Sequence, residues 1–174
     1  EVDQQNRVPT WTSQSLVTLT VGRLTQLPAV LTQGSLGALI DDLYGDMAVV
    51  KREAKRRDVW SFVLAMQPGD LVATVDGATL RMGRLLDGAA ERDSLGGSTV
   101  LRRAVSWSPD ATHDITSLGA MLRSRLRFPG DDVVNLTEVS SALEALLDPD
   151  VEPGPGDGGA TEGPDINVDS PVEP

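Results

Sequence analysis

The 174-residue chain has no cysteine and a single histidine, His113. The first absence excludes a disulfide scaffold, a zinc–thiolate site and a cysteine nucleophile. The second excludes any site that needs two imidazoles. Lysine is nearly absent too, with only Lys51 and Lys55. No Gly-x-x-x-x-Gly-Lys occurs, and no Gly-x-Gly-x-x-Gly follows a strand, so neither a P-loop nor a dinucleotide fingerprint is present. No apolar run approaches the roughly 20 residues that span a bilayer. The start, Glu1-Val2-Asp3-Gln4-Gln5-Asn6-Arg7, lacks the basic-then-apolar order of a secretory signal. The expected location is therefore cytoplasmic, with no membrane partner. Without an initiator Met, the chain reads as processed or as a piece of something longer.

What is present is enough for one domain. Hydrophobic residues make up 40% of the chain, which can support a core. The net charge of −11 is unevenly placed. Residues 148–174 hold eight acids and no base, leaving 18 acids against all 15 bases in 1–147, a net of −3. The Pro- and Gly-rich sequence from Asp148 onward cannot bury apolar surface. It reads as a disordered acidic tail or a linker to a further domain. The chain divides into an irregular segment (1–15), one domain (16–147) and this tail (148–174).

Within the domain, Leu16-Val17-Thr18-Leu19-Thr20-Val21 reads as a strand ended by Gly22. Leu36, Leu39, Ile40 and Leu43 form a helical stripe. Asp58 is placed to cap a helix bearing Val59, Phe62, Val63 and Met66. Leu71-Val72-Ala73-Thr74-Val75 and residues 80–86 flank Asp76-Gly77, a hairpin signal. Residues 99–107 form a further strand, closed by Ser108-Pro109-Asp110. Ile115, Leu118, Leu122 and Leu126 share a helical face. Residues 132–136 read as a short strand. Asn135 and Glu138 resemble a capping box before Val139, Leu143, Leu146 and Leu147. Strands clustered mid-chain with hairpin connections predict an α+β fold, a small curved or partly closed β-barrel with flanking helices.

Catalytic patterns are sparse. His113 has no nucleophile elbow near it. Asp41-Asp42 point about 100° apart on a helix, which suits them poorly to shared catalysis. Asp131-Asp132 falls at a turn. Glu53-Ala54-Lys55 matches a metal-nuclease triplet locally, but it precedes Asp70 and lies in a basic segment. No catalytic residue, metal ligand or cofactor is assigned, and the chain reads as a binding module.

The densest positive feature is Lys51, Arg52, Lys55, Arg56 and Arg57, five bases in seven residues. Such a cluster neutralises phosphates and releases counterions, or else forms a solvated helix face. Arg102 and Arg103 add two more bases. Neighbours on a strand face opposite ways, so at most one of them lies on a given surface. Trp60, Trp107 and Trp11 are candidates for stacking a displaced base, with core packing as the alternative for each.

Several segments recur in a known order: Val59-Trp60-Ser61-Phe62, Met66-Gln67-Pro68-Gly69-Asp70-Leu71-Val72, Met82-Gly83-Arg84-Leu85 and Arg102-Arg103-Ala104-Val105-Ser106-Trp107. Together they resemble the PUA/EVE-like domain attached to Mrr-type and methylcytosine-dependent restriction proteins, over about residues 16–147. The resemblance implies a small curved barrel that reads double-stranded DNA, often through a modified base. It also implies a nuclease or AAA+ motor in a partner protein or domain. Two departures remove aromatic surface. Val21-Gly22-Arg23 stands where relatives often have Gly-Trp, and Asp87-Gly88-Ala89-Ala90 replaces a Tyr-x-Tyr. The expectation is a non-catalytic DNA-binding module of a bacterial restriction or phage-defence system. Its phosphate contacts would be Lys51, Arg52, Lys55, Arg56, Arg57, Arg102 and Arg103. The alternative is a protein-interaction or regulatory module of the same fold.

Overall fold

The computed structural model describes residues 6–126 and 132–148. Helix α1 (Val8–Gln14) begins with Pro9 in its first turn, where a missing N–H costs nothing. It ends at Ser15 in the left-handed region, φ 53°. Strand β1 (Leu16–Thr20) follows. Helix α2 (Gln33–Leu43) starts at a reciprocal cap between Thr32 and Ser35. Helix α3 (Val49–Trp60) runs directly into a π-helical turn, Ser61–Ala65. Strands β2 (Leu71–Asp76) and β3 (Thr79–Leu85) form a hairpin across Gly77, which has φ +60°. Strands β4 (Glu91–Leu95) and β5 (Ser98–Asp114) form a second hairpin. A 3₁₀ turn (Ile115–Ser117), helix α4 (Ala120–Arg125), a second 3₁₀ turn (Thr137–Val139) and helix α5 (Ser140–Leu147) complete the described chain.

Strand β5, 17 residues long, organises the sheet. β1 pairs antiparallel with residues 100–104 on one side. On the other side β4 covers residues 98–102 and β3 covers residues 105–114, with β2 beyond β3. The result is a curled antiparallel half-barrel with flanking helices, the α+β architecture expected from the sequence. The curl has a local cause. Gly83 pairs with Trp107 but Arg81 pairs with Thr112, so β5 carries extra residues around Ser108-Pro109-Asp110. Such a bulge bends the strand and increases its twist. At this crossing a Cβ on residue 83 would lie 2.5 Å from the Ser106 carbonyl oxygen and 2.9 Å from Trp107 Cα. Glycine is required there by backbone approach.

The core lies in three clusters, two large and one small. Helices α2 and α3 and the π turn press Leu36, Ile40, Val59 and Phe62 against Leu19 and Leu101. Helices α4 and α5 press Leu122 and Leu143 against Leu80, Met82 and Ala111. Val72, Leu85 and Val105 form the small one. Each fully buried Leu or Phe contributes roughly 1.5–3 kcal/mol of transfer free energy.

Six local expectations are corrected. Residues 8–14 form a helix, not irregular chain, because Trp11 is anchored to the sheet. Asp58 does not start a helix; it is buried inside α3, which already began at Val49. Ser108-Pro109-Asp110 bulges β5 without ending it. The stripe from Ile115 to Leu126 is split into a 3₁₀ turn and α4. Residues 132–136 form no strand: Val133 packs on one large cluster and Leu136 on the other. The Asn135 side chain accepts from Thr137 N, and α5 begins only at Ser140. The expected tail lies outside the described residues beyond Asp148.

Candidate functional site

The basic run forms the middle of α3. Four-residue spacing puts Lys51 and Lys55 in one row and Arg52 and Arg56 in the next. The arginine row faces α2, where both side chains converge on Asp41 in the last turn. Arg52 Nε lies 3.2 Å from Asp41 Oδ1, and Arg56 Nη2 donates to the same oxygen. Arg52 Nη1 also donates to the Gly45 carbonyl at 3.1 Å, and Arg56 Nη1 pairs with Glu53 at 3.2 Å. Gly37, one turn before Asp41, is 3.7–3.8 Å from the stem of Arg56 at its missing Cβ. Lys55 Nζ pairs with Asp132 at 2.9 Å and donates to the Thr20 carbonyl at 3.1 Å. The side chains of Arg52, Lys55 and Arg56 are 22%, 17% and 32% exposed. Lys51 and Arg57 are exposed.

Arg102 and Arg103 face opposite ways, as strand alternation requires. Arg102 is exposed and held between Glu91, at 2.9 Å, and Asp93, at 3.0 Å. The hydrogen bond from Arg102 to Glu91, with both carboxylates nearby, stabilises its cation and raises its pKa. Arg103 is buried. Its Nη1 donates to the carbonyls of Phe62 (3.2 Å) and Met66 (2.7 Å), and its Nη2 to that of Gly88 (3.2 Å). Burial pulls the Arg103 guanidinium below the usual arginine range, and Asp70 partly offsets this.

The tryptophans divide similarly. Trp107 Nε1 donates to the Trp11 carbonyl at 3.0 Å, and Trp11 Nε1 donates to Thr18 Oγ1 at 2.9 Å. Both indoles fasten α1 to the sheet. Trp60 is half-buried at the end of α3. A cleft of about 220 Å³ lies between the end of α1, the chain joining β3 to β4 and strand β5. Ser15, Gly88, Ala89, Arg102, Arg103 and Ala104 help to line it, and none of the three tryptophans does. Among the described residues, no three His, Asp or Glu side chains gather to hold a metal.

The segments that carry the family resemblance meet in space. Arg103 holds the chain after Trp60, and Gly69 N donates to the Leu85 carbonyl at 2.8 Å. Leu85 N donates to the Asp70 carbonyl at 2.9 Å, and Arg84 Nη1 to the Gly69 carbonyl at 3.1 Å. Gly83 lies against Trp107. These residues knit the frame of the half-barrel.

No family model, curated protein or solved structure matches this chain.

The seven expected phosphate contacts therefore occupy three places. Lys51, Arg52, Lys55, Arg56 and Arg57 share α3; Arg102 lies beside the cleft; Arg103 points into the protein. What sequence reasoning missed is the pairing of these bases with acids it had weighed only for catalysis: Asp41 on α2, Glu53 on α3 itself and Asp132 after α4. Gly37 inside an apolar helical stripe, with Asp41 one turn later, was the available signal for a close neighbouring side chain.

Proposed function

We propose that this chain is a non-catalytic module that binds double-stranded DNA, in the setting of a bacterial restriction or phage-defence system. Any nuclease or AAA+ activity would reside in a partner protein or domain. The observation that carries the reading is the gathering of five bases on α3. The carboxylates against them are half-exposed, and surface ion pairs contribute only about 0–1 kcal/mol. A polyphosphate releases counterions as it binds, so it can replace such partners. The family resemblance supports the same reading. A displaced base would enter the cleft beside Ala104, where Arg102 and backbone groups would read it by hydrogen bonding without an aromatic wall.

The test is fluorescence anisotropy of the full chain with duplexes unmodified, methylated or hydroxymethylated at cytosine, at two salt concentrations. Affinity should fall with salt, and Lys55→Ala/Arg56→Ala/Arg57→Ala should weaken every duplex alike. Preference for one modified duplex would show that the base itself is read. Undiminished binding by the triple variant would remove α3 from the interface.

A second reading is a protein-interaction module of the same fold. It is favoured by Val49 and Val50, which are 62% and 82% exposed at the start of α3. Absence of binding to any duplex, with co-elution of the chain and a nuclease or AAA+ partner, would establish it over DNA binding.

A further inference from the structure

We infer that Asp41 is a built-in competitor for the phosphate site, holding Arg52 and Arg56 in a masked state that DNA must displace. This inference rests on the DNA-binding reading and adds its regulation. Two arginines one helical turn apart on α3 aim at one carboxylate oxygen on α2. Arginine forks suit carboxylate and phosphate by the same donor geometry, so a phosphate oxygen placed at Asp41 Oδ1 would meet the same donors. The arrangement is built from both sides. Gly37 leaves room for the Arg56 stem to lie across α2, and the Gly45 carbonyl fixes Arg52. The Nε atoms of Arg52 and Arg56 are buried without a well-formed hydrogen bond, so the carboxylate leaves donor capacity unused. Asp41 is 49% exposed, which gives an incoming anion access. Glu53 holds Arg56 from the solvent side.

The neighbouring Asp42 supplies the control. It is exposed, lies about 100° around the helix, and pairs with no base among the described residues. Asp41→Asn and Asp42→Asn therefore change net charge equally, and only the first unmasks the arginines.

The experiment measures affinity of the full chain for unmodified, methylated and hydroxymethylated duplexes across a salt series, with thermal melts to confirm folding. Asp41→Asn should bind about fivefold more tightly than Asp42→Asn. One additional phosphate contact should steepen its slope of log K against log salt by about 0.9. Glu53→Gln should shift affinity in the same direction by less, and it decides the matter if Asp41→Asn melts before assay. Equal affinities for Asp41→Asn and Asp42→Asn would overturn the masking, as would weaker binding by Asp41→Asn, while leaving DNA binding intact. Failure of the wild type and of all three variants to bind any duplex would overturn the DNA reading itself.

Discussion

A buried guanidinium is costly unless its N–H groups are used, and Arg103 uses its terminal nitrogens on three backbone carbonyls. Two of them, Phe62 and Met66, close the π-helical turn after α3, where carbonyls lack helical partners. The third, Gly88, belongs to the chain between β3 and β4. One side chain thus ties a helix end and a connection to the central strand. Arg103→Met should lower stability by about 2 kcal/mol, because it leaves those carbonyls without donors. A shift of the urea midpoint at unchanged slope would register this. Lysine cannot span the three acceptors with a planar fork, so Arg103→Lys should recover only part of the loss. The sequence showed that Arg102 and Arg103 diverge. It did not show which one faces inward, because both are arginine and only packing against the helix end distinguishes them.

Among the elements, α2 was legible and α3 was not. The stripe Leu36, Leu39, Ile40 and Leu43 marks α2, and its start is fixed by Thr32 Oγ1 accepting from Ser35 N at 3.0 Å. Thr32→Ala should cost about 1 kcal/mol, with faster amide exchange in the first turn of α2. In α3 the polar run hides the periodicity, and Asp58 has the residue type of a cap. Tertiary burial of Asp58 and Val59 keeps the helix continuous. Strand β4 escaped notice because Glu91, Arg92, Asp93 and Ser94 are all exposed and show no alternation. Short, charged strands are how a sheet protects an open edge. Conversely, residues 132–136 look like a strand but find no strand partner, and Val133 and Leu136 each serve a different core cluster.

For the molecule as a whole, hydrogen bonds to exposed carboxylates shape its response to acid. The hydrogen bond from Arg23 holds the Asp46 carboxyl below the usual range, and the Thr116 hydroxyl does the same for Asp114. A carboxyl depressed on folding contributes stability above its unfolded pKa and loses it as pH falls through the folded value. Stability should therefore decline below about pH 4, the ordinary carboxylate range. Asp46→Asn/Asp114→Asn should show a shallower acid decline in a melting series from pH 6 to pH 2. An unchanged slope would assign the acid response to other carboxylates.

The α+β class, the hairpin at Gly77, the apolar stripe of α2 and the concentration of bases between Lys51 and Arg57 were all legible in the order of residues. Each of these is written in local spacing or residue type, which chain geometry translates directly. Tertiary structure alone decided that β5 stays one strand through Pro109, that Arg103 turns inward, and that Asp41 faces Arg52 and Arg56. Those outcomes depend on contacts between residues distant in the chain, where the identity of the neighbour sets whether a charge meets solvent, a carbonyl or an opposite charge.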